Sequence, residues 1–451
     1  MEAIDQLGQF VASTQFETIP VDVVERTKWI LRDTVAVIVG GMTEPEVMAL
    51  AGYAASEMPG SASLLGHGGM TKAAWAALVH GTAGTTLEMD EGHAYARGHA
   101  AIHAVPPVLA MAQEQGSSGR QVIAGTVVGY EVAARAGVAT HLRSGVHPFG
   151  AWGVLGAAAV GAWFKNFTAV EVAGTLELAA SFAITPSFET AYQGATVRNT
   201  YAGMVNRLGL LAADLFELGF RGEKGGLETT FGEILGDAFD PAALIDGLGQ
   251  RYESLRGYFK PYSGCRYTHA AIDAILEMQS QIEIPIEKVA SVDVATYDIA
   301  AHLANPVPTT PLAGRFSTPY VVAATLVNRS AGPEIFKQDM LNNSTIVDLS
   351  QRINVTEDKS FTAMTPGRRP ARVVVHFKDG TKVENTVFGS KGDPDQPMTP
   401  EELKDKFHQL SDPVLGRDRA ESAWEIMGEL EKQETLNELM TQLAPQSSHD
   451  D

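Results

Sequence analysis

Apolar residues recur three and four positions apart over most of residues 1–262, which is the spacing of one face of a helix. Three segments combine this spacing with many Ala and Gly residues: VERTKWILRDTVAVIVGG, TKAAWAALVHGTAGTTLEMD and RQVIAGTVVGYEVAARAGVA. Small side chains allow neighbouring helices to approach closely. The pattern therefore predicts a tightly packed, mostly buried helical domain over residues 1–262.

The pattern changes after the segment FKPYSGCRYTH, where β-branched residues become frequent and apolar and polar positions alternate. KVASVDVATY, ARVVVHF and TKVENTVF are typical of strands, and the short sequence KDG between the last two predicts a β-hairpin. Helices are predicted at 267–281 and 319–329, packed on one face of the sheet. Residues 263–397 are thus expected to form a smaller α+β domain.

A helical pattern returns near the C-terminus. TPEELKDKFHQL opens with Thr399, Pro400 and two glutamates, which favour a helix start, and GRDRAESAWEIMGELEKQ predicts a further amphipathic helix. These helices, within residues 398–445, are expected to complete the helical domain. The predicted fold class is therefore mainly α, with a large all-helical domain plus a smaller α+β domain.

Composition and charge narrow the classes of function. The chain has 451 residues, 45% hydrophobic and 20% charged, which suits a globular protein with two domains. A net charge of −20 argues against nucleic acid or an anionic membrane as partner, because both require a positive surface. The single cysteine, Cys265, excludes an intrachain disulfide and cysteine-rich metal sites.

The N-terminal sequence MEAIDQLGQF has neither the basic start nor the apolar run of a signal peptide. No uninterrupted apolar stretch approaches the roughly 20 residues that span a bilayer. A cytoplasmic location is therefore expected.

Residues 88–107, EMDEGHAYARGHAAIHAVPP, contain three histidines, three carboxylates and one arginine. His99 and His103 are four positions apart, so in a helix they would share a face, with Arg97 and Asp90 near them in sequence. One interpretation is a metal pair, but further ligands at a telling spacing are not evident. The others are an acid–base site that binds an anion, or buried groups that cap helices and form internal hydrogen bonds.

Three other segments carry candidate chemistry. HPFGAWGVLGAA places His147 before a glycine-rich helix start, where backbone amides favour an anion, although a tightly packed turn is the alternative. GATVRNTYAG presents Arg198, and FKPYSGCRYTH presents Lys260, Tyr262, Arg266 and His269, with Cys265 among them, at the junction of the predicted domains. Arg grips carboxylates and Lys or Tyr can transfer protons, whereas surface salt bridges would be the alternative for each. A position at the junction of the two domains favours a cleft. Cys265 has no evident base to activate its thiol, so it is interpreted as a residue that lines the cleft.

Seven motifs follow one another in a characteristic order: GHGGMTKAAWAALVHGTAGTTLEMDEGH, RGHAAIHAVPPVLAMAQEQGSSGRQVIAGTVVGYEVAARAG, GVHPFGAWGVLGAA, VRNTYAGMVNRLGLLAA, FKPYSGCRYTHAAIDAI, FSTPYVVAATLV and KGDPDQPMTPEELKDKF. In this order, over nearly the whole chain, they resemble the MmgE/PrpD family, which includes 2-methylcitrate dehydratase, cis-aconitate decarboxylase and iminodisuccinate epimerase. The resemblance implies a homodimer and a cleft between domains that needs no metal or organic cofactor.

The resemblance also implies roles for particular residues. Arg198 and Lys260 would bind carboxylates of a small anionic substrate, and Asp90 would orient a histidine. His99 and His147 would transfer protons or stabilise charge. The expected catalytic residues are His99, His147, Lys260, Asp90 and His103, and the expected substrate-binding residues are Arg198, Tyr262, Cys265, Tyr320, Arg97 and Glu88.

Departures from the family pattern bear on the reaction. Cys265 occupies the position of a catalytic histidine of the decarboxylases, which argues against cis-aconitate decarboxylase. The first expectation is a cofactor-independent hydro-lyase that removes a proton α to a carboxylate of a hydroxy-polycarboxylate, as in 2-methylcitrate dehydratase. An epimerase of a small dicarboxylate such as iminodisuccinate is the alternative, because His103 could supply a second proton-transfer group. A decarboxylase or a non-catalytic homologue is less favoured.

Overall fold

The computed structural model describes residues 2–184 and 186–445, and the chain is mainly helical with few strands. The helices of the first part are α1 (Ala3–Ser13), α2 (Val21–Gly41), α3 (Pro45–Glu57), α4 (Ala73–Thr86), α5 (Ala101–Gln115), α6 (Gly119–Ala139), α7 (Gly153–Phe164), α8 (Ala169–Ala180), α9 (Glu189–Gln193), α10 (Thr200–Glu217) and α11 (Pro241–Ile245). Pairs of short antiparallel strands join them: β1 (Ala62–Ser63) with β2 (Met70–Thr71), β3 (Gly92–His93) with β6 (Gly257–Tyr258), and β4 (Thr140–Leu142) with β5 (Gly236–Phe239).

Small residues bring the central helices together. Helix α10 packs on α4 and α7, and α6 packs on α5 and α7. Gly129 of α6 and Gly209 of α10 lie where an added Cβ would overlap the neighbouring helix. The Ala- and Gly-rich pattern of the sequence thus corresponds to helices that are buried on nearly all sides.

One of these helices, Gly119–Ala139, has the length and mean hydropathy of a membrane span. Glu131 and Arg135 interrupt its apolar sequence, so it is not an uninterrupted apolar stretch of roughly 20 residues. In the fold, 94% of its apolar window is covered by other parts of the protein. Its apolar surface therefore already has a partner in the helical core.

The sheet of the second part contains β7 (Val289–Thr296), β8 (Ile353–Glu357), β9 (Ala371–Phe377) and β10 (Lys382–Val387) in the order β10-β9-β7-β8. Strands β9 and β10 form the predicted antiparallel hairpin, with His376 opposite Lys382. The helices of this part are α12 (His269–Gln281), α13 (Asp298–Ala301), α14 (Pro311–Arg315), α15 (Thr318–Asn328), α16 (Gln338–Leu341), α17 (Ser344–Ser350) and α18 (Lys359–Thr362). Helices α12 and α15 agree with the predicted 267–281 and 319–329.

The last helices are α19 (Pro400–Leu415), α20 (Arg417–Gly428) and α21 (Asn437–Gln442). Thr399 caps α19 in a capping box with Glu402, and Pro400 occupies the first turn. Helix α19 packs on α2, so the C-terminal helices join the hydrophobic cluster of the first part. A separate cluster forms between the sheet and helices α12 and α15. The division into domains at 1–262, 263–397 and 398–445 stays a prediction.

Candidate active site

A cavity lies between residues of the first part of the chain and residues of the second part. It contains about 420 Å³ of atom-free space, part of it open to solvent. Its walls are formed by Glu88, Arg97, Gly98, His99, His147, Pro148, Phe188, Arg198, Tyr258, Cys265, Arg266, Tyr267, Phe316 and Arg369. Four of these residues are arginines. The cavity therefore favours an anionic ligand in spite of the negative net charge of the chain.

The acidic segment Glu88–Glu91 follows helix α4 directly into the interior. Its three carboxylate residues are at most 2% exposed, a costly arrangement unless each has a partner. The partners are Arg198 and Lys260 for Glu88, His99 and Lys260 for Asp90, and Tyr130 for Glu91. The charge density of the segment 88–107 is thus explained by a buried ionic network.

Glu88 has a φ of 53°, in the left-handed region that residues other than glycine rarely adopt. Two contacts hold this conformation. The side chain is paired with Arg198, and the backbone carbonyl oxygen accepts a hydrogen bond of 3.1 Å from Nζ of Lys260. The strained turn directs the following residues toward His99 and Tyr130.

His99 lies in the turn before α5, which begins at Ala101. The expectation that His99 and His103 share one helix face is therefore wrong. Nδ1 of His99 is 2.9 Å from Oδ2 of Asp90 and 2.7 Å from the carbonyl oxygen of Glu91. Because both partners are acceptors, Nδ1 carries a proton, and Nε2 is left as the nitrogen that can accept one.

Asp90 is positioned to hold the His99 ring. Burial by itself would raise the pKa of Asp90, but the neighbouring His99 and Lys260 outweigh burial and keep this pKa below the usual range. Asp90 is therefore ionised. The ring is thus held through Nδ1 by the hydrogen bond to the Glu91 carbonyl oxygen, with the Asp90 carboxylate beside it as an ion-pair contact.

Lys260 supports this arrangement from behind the cavity wall. Its side chain is fully buried, and Nζ lies 3.5 Å from both Oε2 of Glu88 and Oδ1 of Asp90. Burial would lower the pKa of Lys260, but the two carboxylates raise it. Lys260 does not line the cavity. It neutralises Glu88 and Asp90, which differs from the expected contact with a substrate carboxylate.

His147 faces the cavity beside Arg198. Its Nδ1 accepts a hydrogen bond of 3.2 Å from the backbone N–H of Phe149, and Nε2 lies 3.4 Å from Nε of Arg198. Burial and the charge of Arg198 lower the pKa of His147 well below its usual value, so the ring is neutral. Both ring nitrogens face N–H donors, from Phe149 and from Arg198, so His147 acts as an acceptor that holds the Arg198 guanidinium at the cavity wall.

The structure places His103, Tyr262 and Tyr320 away from the cavity lining. His103 is buried on α5, where Nδ1 lies 3.0 Å from Oδ1 of Asn206 and the ring packs edge-on against Trp152. The hydroxyl of Tyr262 donates to Asp273 at 2.7 Å, and that of Tyr320 donates to the carbonyl oxygen of Ile335. Internal hydrogen bonds satisfy both tyrosine hydroxyls and Nδ1 of His103, whereas Nε2 of His103 is buried without a hydrogen-bond partner. These three residues belong to the packing around the site.

Cys265 lines the cavity, as expected, and burial raises the pKa of its thiol to about 11, with Glu88 contributing. At neutral pH the side chain is therefore a thiol and not a thiolate nucleophile. Arg266, a candidate of the FKPYSGCRYTH segment, also lines the cavity. The sequence did not point to several other lining residues, namely Tyr258, Tyr267, Phe188, Phe316 and Arg369. Arg369 lies just before the predicted strand ARVVVHF and outside the quoted motifs.

Within the described residues, no group of three or more His, Cys, Asp or Glu side chains is arranged to hold a metal ion. The cavity combines a histidine beside a carboxylate, a neutral histidine bonded to Arg198 and a set of arginines. It can perform acid–base chemistry on a bound anion.

The fold and the cavity thus define a mainly helical protein with an acid–base site for an anion. The model of the MmgE/PrpD N-terminal domain matches residues 5–239, and that of the MmgE/PrpD C-terminal domain matches residues 262–432. The chain belongs to the MmgE/PrpD family, which confirms the resemblance seen in the sequence.

Similar proteins are found among the cis-aconitate decarboxylases. That of Aspergillus terreus is 24% identical over 468 residues, which cover 96% of this chain and 94% of the relative. Those of Mus musculus and Homo sapiens are each 24% identical, over 402 and 396 residues. They cover 84% and 82% of this chain and 80% and 79% of the respective relatives. These relatives are therefore enzymes that align with most of this chain.

Proposed function

We propose that this protein is a cofactor-independent lyase that acts on a small hydroxy-polycarboxylate. In this proposal it removes a proton α to a carboxylate and releases water, as a 2-methylcitrate dehydratase does. The observation that carries the proposal is the His99–Asp90 pair, whose free Nε2 belongs to a cavity lined by four arginines. A base beside several cations is what proton removal next to a carboxylate requires.

The proposed reaction needs one group that accepts a proton and returns it. Nε2 of His99 takes the proton from the carbon α to a carboxylate, and the electrons of the C–H bond form the new double bond. The carbon–oxygen bond to the β-hydroxyl breaks, and the imidazolium of His99 gives its proton to the departing oxygen, which leaves as water. The charge that develops on the carboxylate is stabilised by the Arg198 guanidinium, which His147 holds in place by accepting a hydrogen bond from its Nε.

Decarboxylation of cis-aconitate is the second candidate, because the full-length relatives are cis-aconitate decarboxylases. In that reaction the carbon–carbon bond to the carboxylate breaks, carbon dioxide leaves, and the carbon that keeps the electrons takes a proton from protonated His99. Against it stands Cys265 at the position of the decarboxylase histidine, since a thiol with a pKa of about 11 is a poor proton donor at neutral pH.

The epimerase alternative loses the argument that supported it, because His103 is bonded to Asn206 and does not line the cavity. It remains an outcome of the experiment below. The homodimer and the cytoplasmic location are further proposals that rest on the family resemblance and on the sequence.

The first test is proton NMR of the purified protein in deuterated water with 2-methylcitrate, citrate, cis-aconitate and iminodisuccinate. New vinylic signals from a hydroxy acid are expected. Loss of carbon dioxide from cis-aconitate would establish the decarboxylase instead. Deuterium entering an α-position with inversion and without an alkene would establish an epimerase, and no conversion of any compound would contradict the proposed reaction class for these substrates.

The residue test compares His99→Asn with His376→Asn, a histidine on the surface of strand β9. Without the Nε2 base, the His99 variant should lose about 10²–10⁴-fold in kcat, whereas the His376 variant should stay within about twofold of the parent. Both variants should keep the parent's unfolding temperature to within a few degrees. Equal turnover by the parent and the His99 variant would contradict the assignment of the base.

A further inference from the structure

Arg369 is a cation of the cavity that the proposed proton transfer does not use. It lines the cavity and is only 9% exposed. Its Nη2 donates to the carbonyl oxygen of Ala94 at 3.3 Å, and the guanidinium interacts with the side chain of Tyr258. Nη1 is buried and lacks a hydrogen-bond partner of good geometry. A buried charged donor without a partner destabilises the fold by roughly 1–3 kcal/mol or more. Its presence at a cavity wall therefore points to a ligand.

The cavity's other arginines differ from Arg369 in charge balance or exposure. Arg198 is paired with Glu88, and Arg266 is paired with Asp393 at 2.7 Å. Arg97 is exposed to solvent. Arg369 makes no ion pair within 4.0 Å in residues 2–184 and 186–445. It is thus a buried guanidinium of the site whose charge no protein carboxylate neutralises by direct contact.

The backbone around Arg369 is held firmly. Pro370 follows it and restricts Arg369 to an extended conformation. The carbonyl oxygen of Pro370 accepts a hydrogen bond of 3.0 Å from the hydroxyl of Thr296 at the end of β7. The guanidinium lies 5.5 Å and 5.7 Å from the ring centres of Tyr258 and Tyr267. A fixed guanidinium loses little conformational entropy when it binds an anion.

We propose that Arg369 binds a carboxylate of the substrate that does not react, with Nη1 donating to it. His99 then acts at the reacting carbon while Arg369 anchors another part of the molecule. The contact with Arg369 selects ligands that carry a second carboxylate at the Arg369 end of the cavity. The inference rests on the proposed function only for the chemical class of the ligand, a polycarboxylate.

The test measures binding and does not require turnover. The probe is tricarballylate, a saturated tricarboxylate without a hydroxyl group, titrated calorimetrically into the full-length parent and into R369Q, R369K and R368Q. Arg368 is the neighbouring residue and is exposed, which makes R368Q the matched control. Loss of one charge-assisted contact should weaken binding by R369Q by about 10–100-fold, whereas R368Q should change Kd by less than about threefold.

R369K keeps the positive charge but not the planar fork, so it should weaken binding less than R369Q does and still measurably, by about fivefold or more. Circular dichroism and thermal unfolding will show whether R369Q folds. If R369Q does not fold, R369K alone tests the contribution of the guanidinium. Parent-like Kd values for folded R369Q or R369K would overturn the inference, and so would an equal loss in R368Q.

Failure of the proposed function gives a different result. If the parent binds tricarballylate and R369Q does not, yet the parent converts none of the acids in the NMR panel, the role of Arg369 is supported while the lyase proposal fails. If the parent itself does not bind tricarballylate, the role of Arg369 is overturned, whereas the lyase proposal is still decided by the NMR panel.

Discussion

At the scale of single residues, Glu91 shows how burial changes the chemistry of the acidic segment. It is fully buried, its Oε1 accepts a hydrogen bond of 2.5 Å from the hydroxyl of Tyr130, and its Oε2 accepts one of 3.1 Å from the backbone N–H of Ala101 at the start of α5. Burial raises the pKa of Glu91 from 4.5 to about 7, although Tyr130 and Ala101 act in the opposite direction. Glu91 thus anchors α5, which follows His99, and does so with a carboxyl that titrates near neutral pH.

A pH dependence of stability follows from this residue. Because the pKa is higher in the folded state, its contribution to the free energy of unfolding is greatest below pH 4.5 and decreases as the pH rises to 7, by about 3 kcal/mol. Glu91→Gln keeps the acceptor for Ala101 and removes the titration. Urea unfolding at pH 5 and 7.5 should show a smaller decrease for the variant than for the parent.

Glu131, whose pKa is also raised to about 7 by burial, is present in both proteins. The comparison therefore isolates Glu91. An identical decrease in the two proteins would show that Glu91 does not titrate in this range.

At the scale of elements, the contact between α4 and α10 places the two halves of the Glu88–Arg198 pair. Helix α4 ends just before Glu88, and α10 begins just after Arg198. The hydroxyl of Thr85 donates to the carbonyl oxygen of Asn199 at 3.0 Å, and Nη1 of Arg198 donates to the carbonyl oxygen of Thr85 at 3.1 Å. Gly203 lets the two helices approach, since an added Cβ would overlap the carbonyl oxygen of Leu78.

Gly203→Ala should therefore force α10 away from α4. The expected loss is about 1–3 kcal/mol in the free energy of unfolding, together with reduced turnover. Gly52→Ala is the matched control, because that position on α3 has no atom within 4 Å of an added Cβ. The control should be neutral or up to about 1 kcal/mol more stable. Equal stabilities of the two variants in urea unfolding would contradict the close-contact explanation.

At the scale of the whole molecule, the C-terminal helix α19 closes the ionic network from the far end of the chain. Nζ of Lys406 lies 2.6 Å from Oδ1 of Asp33 on α2 and donates to the carbonyl oxygen of Met89 at 2.7 Å. Lys406 and Asp33 are almost fully buried. The backbone of the acidic segment beside Asp90 is thus fixed by a residue more than 300 positions later.

Removing this cation should leave a buried carboxylate unpaired. Lys406→Met is expected to lower the free energy of unfolding by about 3–5 kcal/mol. Lys404→Met is the control, because its pair with Glu421 is about one third exposed and should contribute less than about 1 kcal/mol. The double variant Asp33→Leu/Lys406→Met should recover part of the loss. If Lys406→Met and Lys404→Met are equally stable, the Asp33 pair does not hold the C-terminal helices.

Much of the fold was predictable because it depends on local patterns. The spacing of apolar residues predicted the helices, and the alternation of apolar and polar residues on either side of KDG predicted the β9–β10 hairpin. Thr399 and Pro400 predicted the start of α19. His99 and His103 show the limit of such patterns. Their spacing suggested a shared helix face, but α5 starts after His99, so one ring belongs to the cavity and the other to the core.

The sequence by itself determined the helical class, the hairpin, the family and the segments that carry the reactive side chains, because these follow from periodicity and motif order. Only the tertiary structure decided which side chains meet. Asp90 and His99 belong to the same short segment between α4 and α5. Lys260, Lys406 and Arg369, by contrast, are brought to the site by chain segments far apart in sequence. Whether a charged residue is paired internally or left for a ligand depends on burial and distance, and neither quantity is encoded in local spacing.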